Sequence, residues 1–159
     1  MGALAELAMD WLKLFFSFRG RVNRAGFWTV SVTWFVLGQV FNYIWTASGA
    51  AEIPFGRNHL VDAALIAAAL PALASCLAVC VTRLHDRNKS AAWLVPFCVG
   101  PPVIEIVASL NDLDAALMVA LMVLAGALGL WALVELGLLR GTAGANAYGP
   151  DPLADAALR

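Results

Sequence analysis

From Ala115 to Leu139 the sequence runs AALMVALMVLAGALGLWALVELGLL, with Glu135 its one charged residue. Crossing about 30 Å of hydrocarbon at about 1.5 Å per residue takes roughly 20 mostly apolar residues. Lipid offers no partner to a backbone group that its own segment leaves unpaired, so such a run crosses as a helix. Three further runs meet the same length: Gly26 to Trp45, Val61 to Thr82, and Ala91 to Ser109. Pro71 interrupts the second, and the third carries Pro96 and the pair Pro101-Pro102. The expectation is an all-α membrane protein with four transmembrane helices, at about residues 26–45, 61–82, 91–109 and 115–139.

Composition agrees. The 159 residues are 62% hydrophobic and 13% charged, against about 25% charged in soluble domains. A formal net charge of −1 gives no basic footprint for nucleic acid. The three cysteines lie within apolar runs, which argues against a disulfide framework. Glu6 and Asp10 stand where a cleaved leader would carry a basic start, so none is expected. Glu6, Asp10, Lys13 and Ser17 share a helical face, which predicts a short amphipathic helix along the interface ahead of the spans. The Gly-, Asn- and Pro-rich stretch GTAGANAYGPDP predicts a turn-rich tail. Residues 1–153 are read as one membrane domain and 154–159 as a flexible end.

The cations give the orientation. Lys13, Arg19, Arg21 and Arg24 precede the first run; Arg83, Arg87 and Lys89 lie between the second and third; Arg140 and Arg159 follow the fourth. Of the chain's 10 lysines and arginines only Arg57 falls in the other loops. The positive-inside rule then puts both termini and the RLHDRNKS island in the cytoplasm, with the Ala47 to Leu60 loop outside.

Orientation needs cations, but it does not need His85, Asp86 or Asn88. Arg83 and Asp86 are spaced to pair at i,i+3, and Asp86 and Ser90 at i,i+4 if the helix runs on. Ser90 or Asn88 is placed to cap the third span. A His85–Asp86 catalytic pair would need a nucleophile, and Ser90 is the only hydroxyl nearby. His59 and His85 fall on opposite sides, and Cys76 and Cys80 lie on a different span from Cys98, so no metal site and no cofactor is expected. Within the spans, Glu105 and Glu135 are carboxylates at opposite depths, Glu135 with cations close by. Gln39 and Asn42 share a face of the first span, suited to holding helices together.

Three blocks in order, SFRGRVNRAGFW (Ser17 to Trp28), RLHDRNKSAAW (Arg83 to Trp93) and GTAGANAYGPDP (Gly141 to Pro152), resemble the small YhaH-like bacterial inner-membrane proteins, a family with a domain of unknown function (805). The resemblance covers Asp10 to Pro152 and implies a four-helix protein of the bacterial inner membrane, with no activity attached. Thr82 and Ala147 stand where relatives often have arginine, Gly26 where they often have an acidic residue, and Ala91 and Ala92 near where a glycine or second tryptophan is common. Two fewer cations make a poorer phosphate clamp. The blocks together suggest a cytosolic polar cluster of Arg19, Arg21, Arg24, Arg83, His85, Asp86, Arg87, Ser90, Asn146 and Asp151. Its expected role is to organise the bundle and to bind an anionic lipid headgroup or a protein partner, including a second copy. The alternatives are a small transporter or channel component using the Pro-broken third helix and Glu105, and an enzyme acting on lipid phosphate.

Overall fold

The computed structural model describes residues 2–110 and 113–154, with side chains from residue 8 onward. The Glu6 side chain of the predicted polar face, Asn111 and Asp112 of the NDLD sequence, and the end beyond Ala154 lie outside the described residues. Among the described residues five α-helices form: α1 Gly2–Phe16, α2 Arg24–Ala47, α3 His59–Asp86, α4 Gly100–Leu110 and α5 Ala115–Ala132. Among the described residues there is no strand, only one isolated bridge between Asn146 and Gly149. A short 3-10 turn, Ala91–Trp93, and a π-helical stretch, Val95–Val99, lead into α4. A second π-helical stretch, Leu133–Leu138, prolongs α5.

Among the described residues three helical segments are long and apolar enough to cross a membrane: His59–Asp86, Ala91–Leu110 and Ala115–Leu138. Only 22%, 11% and 6% of their apolar windows are buried within the chain, so their side chains face outward almost throughout. Such a surface suits lipid as its solvent. The expected first span forms as α2 and has the length, but it is not among the three. Its polar Thr29, Ser31, Thr33, Gln39, Asn42 and Thr46 lower its apolarity. The hydroxyls of Thr33 and Thr46 return hydrogen bonds to the carbonyls of Thr29 and Asn42, at 2.7 and 2.9 Å, so neither needs water.

The prolines interrupt less than their number suggests. Pro71 sits inside α3, which continues on both sides of it. Pro101 and Pro102 stand where the π-helical stretch passes directly into α4, and the helix runs on through them. The irregularity they were expected to cause appears earlier, as the π-helical turn that opens with Pro96.

The chain divides into two compact units, Met1–Phe18 with Trp28–Val79, and Arg19–Phe27 with Cys80–Arg159. In the first, Phe15 of α1 packs edge-on to Trp34 of α2 at 6.5 Å, and Phe41 stacks on Trp45 at 5.4 Å. Asp10 and Lys13 of α1 form an exposed pair at 3.7 Å. Asn58 caps α3 by accepting from the N–H groups of Leu60 and Val61, and the buried Asp62 carboxylate accepts from Gly56 N at 3.1 Å. In the second unit Leu84, Phe97 and Leu136 form the core, with Phe27, Cys80, Trp93, Leu94, Cys98 and Ala132 against it. Trp131 meets Trp93 and Phe97 edge-on at 5.5 and 5.2 Å. Asp114 caps α5, accepting from Leu117 N at 2.9 Å.

One residue sets the end of α3. Asn88 adopts a left-handed conformation, φ 55°. Its N–H reaches His85 O at 2.9 Å while Lys89 N reaches Leu84 O at 2.8 Å, the paired closure of a Schellman motif. The helix therefore stops at Asp86, and Ser90 falls beyond it. Ser90 stands before the 3-10 turn with no side-chain cap hydrogen bond, so the closing role belongs to Asn88, at the end of α3 rather than the start of the next segment. Asn88→Gly should keep or raise the melting temperature, whereas Asn88→Ala should cost about 1 to 2 kcal/mol, because a Cβ is strained in left-handed backbone. Equal melting curves for the two variants in detergent would show that this closure carries no strain.

Candidate functional site: an arginine clasp at a helix end

The final carbonyls of a helix have no partner within it, and the stretch Leu133–Leu138 ends where Leu139 turns extended. Arginines supply the missing donors. Arg83 of α3 donates from Nε to Leu136 O at 2.7 Å and from Nη2 to Leu139 O. Arg24, at the start of α2, donates from Nη1 to Leu138 O at 2.9 Å. Arg87 donates from Nη1 to Arg140 O. Three guanidinium groups thus meet the negative end of one helix dipole, where positive charge is stabilised.

Arg83 is completely buried, and its Nη1 donates to Asp86 Oδ2 one turn on. The other carboxylate oxygen of Asp86 accepts from Arg21, from Nε at 3.2 Å and Nη2 at 3.1 Å. The remaining Arg21 donors go to the tail: Nη2 to Thr142 O at 2.6 Å, Nη1 to Gly144 O at 2.6 Å and to Gly149 O at 3.2 Å. All five N–H donors that a guanidinium has are engaged. The side chains of Arg21 and Asp86 are only 1% and 3% exposed. One buried carboxylate thus holds two buried guanidiniums, and the backbone carbonyls satisfy the excess of donors.

A second carboxylate repeats the arrangement. Glu135 Oε1 accepts from Arg87 Nε at 3.0 Å and Lys89 Nζ at 2.9 Å. Lys89 also lies over the Trp93 ring, 4.4 Å from its centroid, a cation–π contact.

The tail is laid on the end of α3. Thr142 donates to Asp86 O from its N–H at 2.8 Å and its hydroxyl at 3.1 Å. Asn146 donates from Nδ2 to His85 O at 2.9 Å and to Thr142 Oγ1 at 2.8 Å. Tyr148 stacks on the His85 ring, centroids 3.9 Å apart and planes within 7°. His85 Nδ1 lies 3.2 Å from Gly20 O. Asp151 accepts from Gly144 N at 3.0 Å and Leu153 N at 2.9 Å. The Leu153 N–H foremost, then that of Gly144 and the positive Arg21, hold its carboxyl below the ordinary aspartate range.

Of the residues singled out in the sequence, Arg21, Arg24, Arg83, His85, Asp86, Arg87, Asn146, Asp151 and Glu135 are joined in this network. Arg19 and Ser90 are exposed, and Asp86 pairs with Arg83 and Arg21 rather than with Ser90. Glu105, Gln39 and Asn42 are exposed on their helices. Thr142, Tyr148, Lys89 and Gly141 join the site without having been singled out; all four stand in the blocks that carry the family resemblance, but none carries a charge pattern that spacing alone can pair. Asp86 does not orient His85 as a catalytic pair requires, since both its oxygens are held by arginines. Among the described residues no group of three His, Cys, Asp or Glu is placed to hold a metal ion.

The fold and this network define an all-helical membrane protein closed at one end by an arginine–carboxylate clasp. The family model described as "Protein of unknown function (DUF805)" matches residues 15–150, and the chain belongs to that family. It is 29% identical over 148 residues to Inner membrane protein YhaI of Escherichia coli (strain K12), covering 91% of this chain and 96% of the relative. It is 30% identical over 147 residues to Uncharacterized protein YiiR of the same strain, covering 89% and 88%. No solved structure matches the chain.

Two outcomes test the clasp. A Cβ added at Gly141 would fall 2.7 Å from Asp86 Oδ1 and closer still to Oδ2, whereas at Gly126 it would meet nothing. Gly141→Ala should lower stability by about 1 to 3 kcal/mol, as overpacking does, and Gly126→Ala should leave it unchanged or raised; equal melting temperatures would place Asp86 elsewhere. For Asp151 the depressed carboxyl strengthens tail docking at every pH above the ordinary aspartate value, and that gain disappears as pH falls through the depressed one. In an acid series with pepsin the wild-type tail should become cleavable only below the ordinary aspartate range, while in Asp151→Asn it should be cleaved more readily throughout.

Proposed function

We propose that the chain is a multi-pass inner-membrane protein with a single membrane domain over residues 1–153. In this reading α2 is the first of four spans, α1 lies along the interface, and both termini are cytoplasmic. The distribution of cations supports that orientation. The clasp then sits at the cytosolic ends of the helices and acts first as a scaffold. The observation that carries this is the burial of Arg21 and Arg83, whose side chains are 1% and 0% exposed and whose donors turn to internal acceptors, all five on Arg21 and three on Arg83. A guanidinium closed off in this way is out of a ligand's reach. Contact with anionic headgroups falls instead to the exposed rim, Arg24 and Arg140.

Nothing comparable favours transport through the third span. Its prolines are absorbed into a π-helical turn and the first turn of α4, and Glu105 is exposed without an ion pair among the described residues.

Single cysteines at Ser48 and Ala145, in a background without the native three, should label oppositely with an impermeant reagent, and labelling of Ala145 in intact cells would overturn the topology. Near an anionic leaflet each cation contributes about 1 kcal/mol, a factor of about five. Native mass spectrometry in mixed lipids should therefore show Arg24→Gln/Arg140→Gln losing phosphatidylglycerol and cardiolipin relative to the wild type. Unchanged lipid retention would remove the headgroup role and leave the scaffold.

A further inference from the structure

Two of the three cysteines, all of them reduced, stand together in the second unit. Cys80 lies in α3 and Cys98 in the π-helical stretch Val95–Val99. Their thiols are hydrogen-bonded to each other, and both side chains pack against the buried cluster of Leu84, Phe97 and Leu136. The clasp uses neither. Both are half-buried rather than sealed in, and Val95 and Val99 to either side of Cys98 are exposed. Cys80 stands six residues before the end of α3 at Asp86, roughly 9 Å from it at about 1.5 Å of rise per residue. The segments that carry the two cysteines are both apolar enough to cross a membrane.

Two thiols fall short of the four ligands of a closed zinc site. They are what a disulfide needs: one sulfur to be oxidised and a second beside it to resolve the product. A thiol alone in apolar surroundings resists the negative charge that attack on an oxidant requires, and a hydrogen bond from its neighbour offsets part of that cost. Cys98 also sits in a π-helical turn, an irregularity that recurs at functional positions.

We propose that Cys80 and Cys98 are a redox dithiol that reduces organic hydroperoxides dissolved in the bilayer and closes to a disulfide in doing so. One sulfur attacks the terminal peroxide oxygen and the O–O bond breaks, leaving a sulfenic acid on that cysteine; its thiol proton goes to the departing alkoxide, which leaves as an alcohol. The second thiol then attacks the sulfenic sulfur, the S–S bond forms, and hydroxide leaves with the second thiol proton as water. Each sulfur gives up one electron, and the peroxide takes both. The apolar surroundings select a lipid-soluble oxidant over a water-borne one, and they keep a polar thiol such as glutathione from undoing the product. The closed loop would contain Arg83, Asp86, Arg87 and Lys89, so oxidation would brace the segment that carries half of the clasp, a cross-link that restricts the unfolded chain.

The test uses the full chain in phospholipid nanodiscs, treated with cumene hydroperoxide or separately with hydrogen peroxide, then denatured and alkylated. With cumene hydroperoxide the wild type should lose two of its three alkylatable thiols and two hydrogens by intact mass, with Cys80 and Cys98 recovered in one cross-linked peptide. Cumyl alcohol should appear one for one with the disulfide, and the melting temperature should rise. Cys76→Ala should behave as wild type, and Cys80→Ala should form no disulfide. The proposal is overturned if the wild type keeps all three thiols, if the bond formed includes Cys76 or joins two chains, or if hydrogen peroxide acts as fast as cumene hydroperoxide. A Cys80–Cys98 bond made by copper phenanthroline but not by the hydroperoxide would leave two neighbouring thiols without this activity and overturn it as well. Arg24→Gln/Arg140→Gln should oxidise as the wild type does, so this inference and the headgroup reading fail separately.

Discussion

A helix end leaves carbonyls without donors, and where the Leu133–Leu138 stretch stops arginine side chains answer that need. The ends of the Leu133–Leu138 stretch and of α3 meet at Arg83, which caps the first and pairs with Asp86 in the last turn of the second. Removing Asp86 would leave both Arg83 and Arg21 buried without a counter-charge, at a cost of about 3 to 5 kcal/mol. Arg21 and the tail then build on Asp86, and Arg87, held by Glu135, donates to the carbonyl of Arg140 that follows. The polar cluster is therefore organised around backbone groups, with its charged side chains serving the helix ends.

This reverses the usual meaning of an arginine-rich surface in a membrane protein. Guanidiniums near a leaflet are commonly read as phosphate ligands, and four arginines here fall within a few helical turns of one another. Burial separates them by role. Arg83 and Arg21 are closed off, Arg87 is half-closed, and Arg24 keeps an exposed face while donating to Leu138 O. A count of the cations alone would overstate the positive charge of this cluster, because Asp86 and Glu135 neutralise two of them locally.

Much of the helical layout was legible because apolar length and turn chemistry act locally. The runs ending near Thr82, Ser109 and Leu139 became helical segments close to their expected bounds, and the i,i+3 spacing of Arg83 and Asp86 brought them together. Pro71 and Pro101-Pro102 misled, since one sits inside α3 and the others where a π-helical stretch runs on into α4. The first run was long enough, yet its threonines, glutamine and asparagine leave α2 short of the apolarity of the others. Spacing could not reveal that Arg21 crosses 65 positions to reach Asp86, or that Gly141 must lack a side chain to let the carboxylate in. Those facts depend on where two distant backbones pass, and no local pattern encodes that.

The arginine that anchors the tail is Arg21, which is synthesised 121, 123 and 128 residues ahead of its partners Thr142, Gly144 and Gly149. A growing chain exposes its N-terminal parts first. Until those partners emerge Arg21 has only Asp86 to meet, and before Asp86 emerges it has neither. The clasp can close only once residues 142–149 have been made, so a product truncated before residue 142 would carry its helices into the membrane with the lock still open. Such a fragment would differ from one that reaches residue 149 by three guanidinium contacts left unmade.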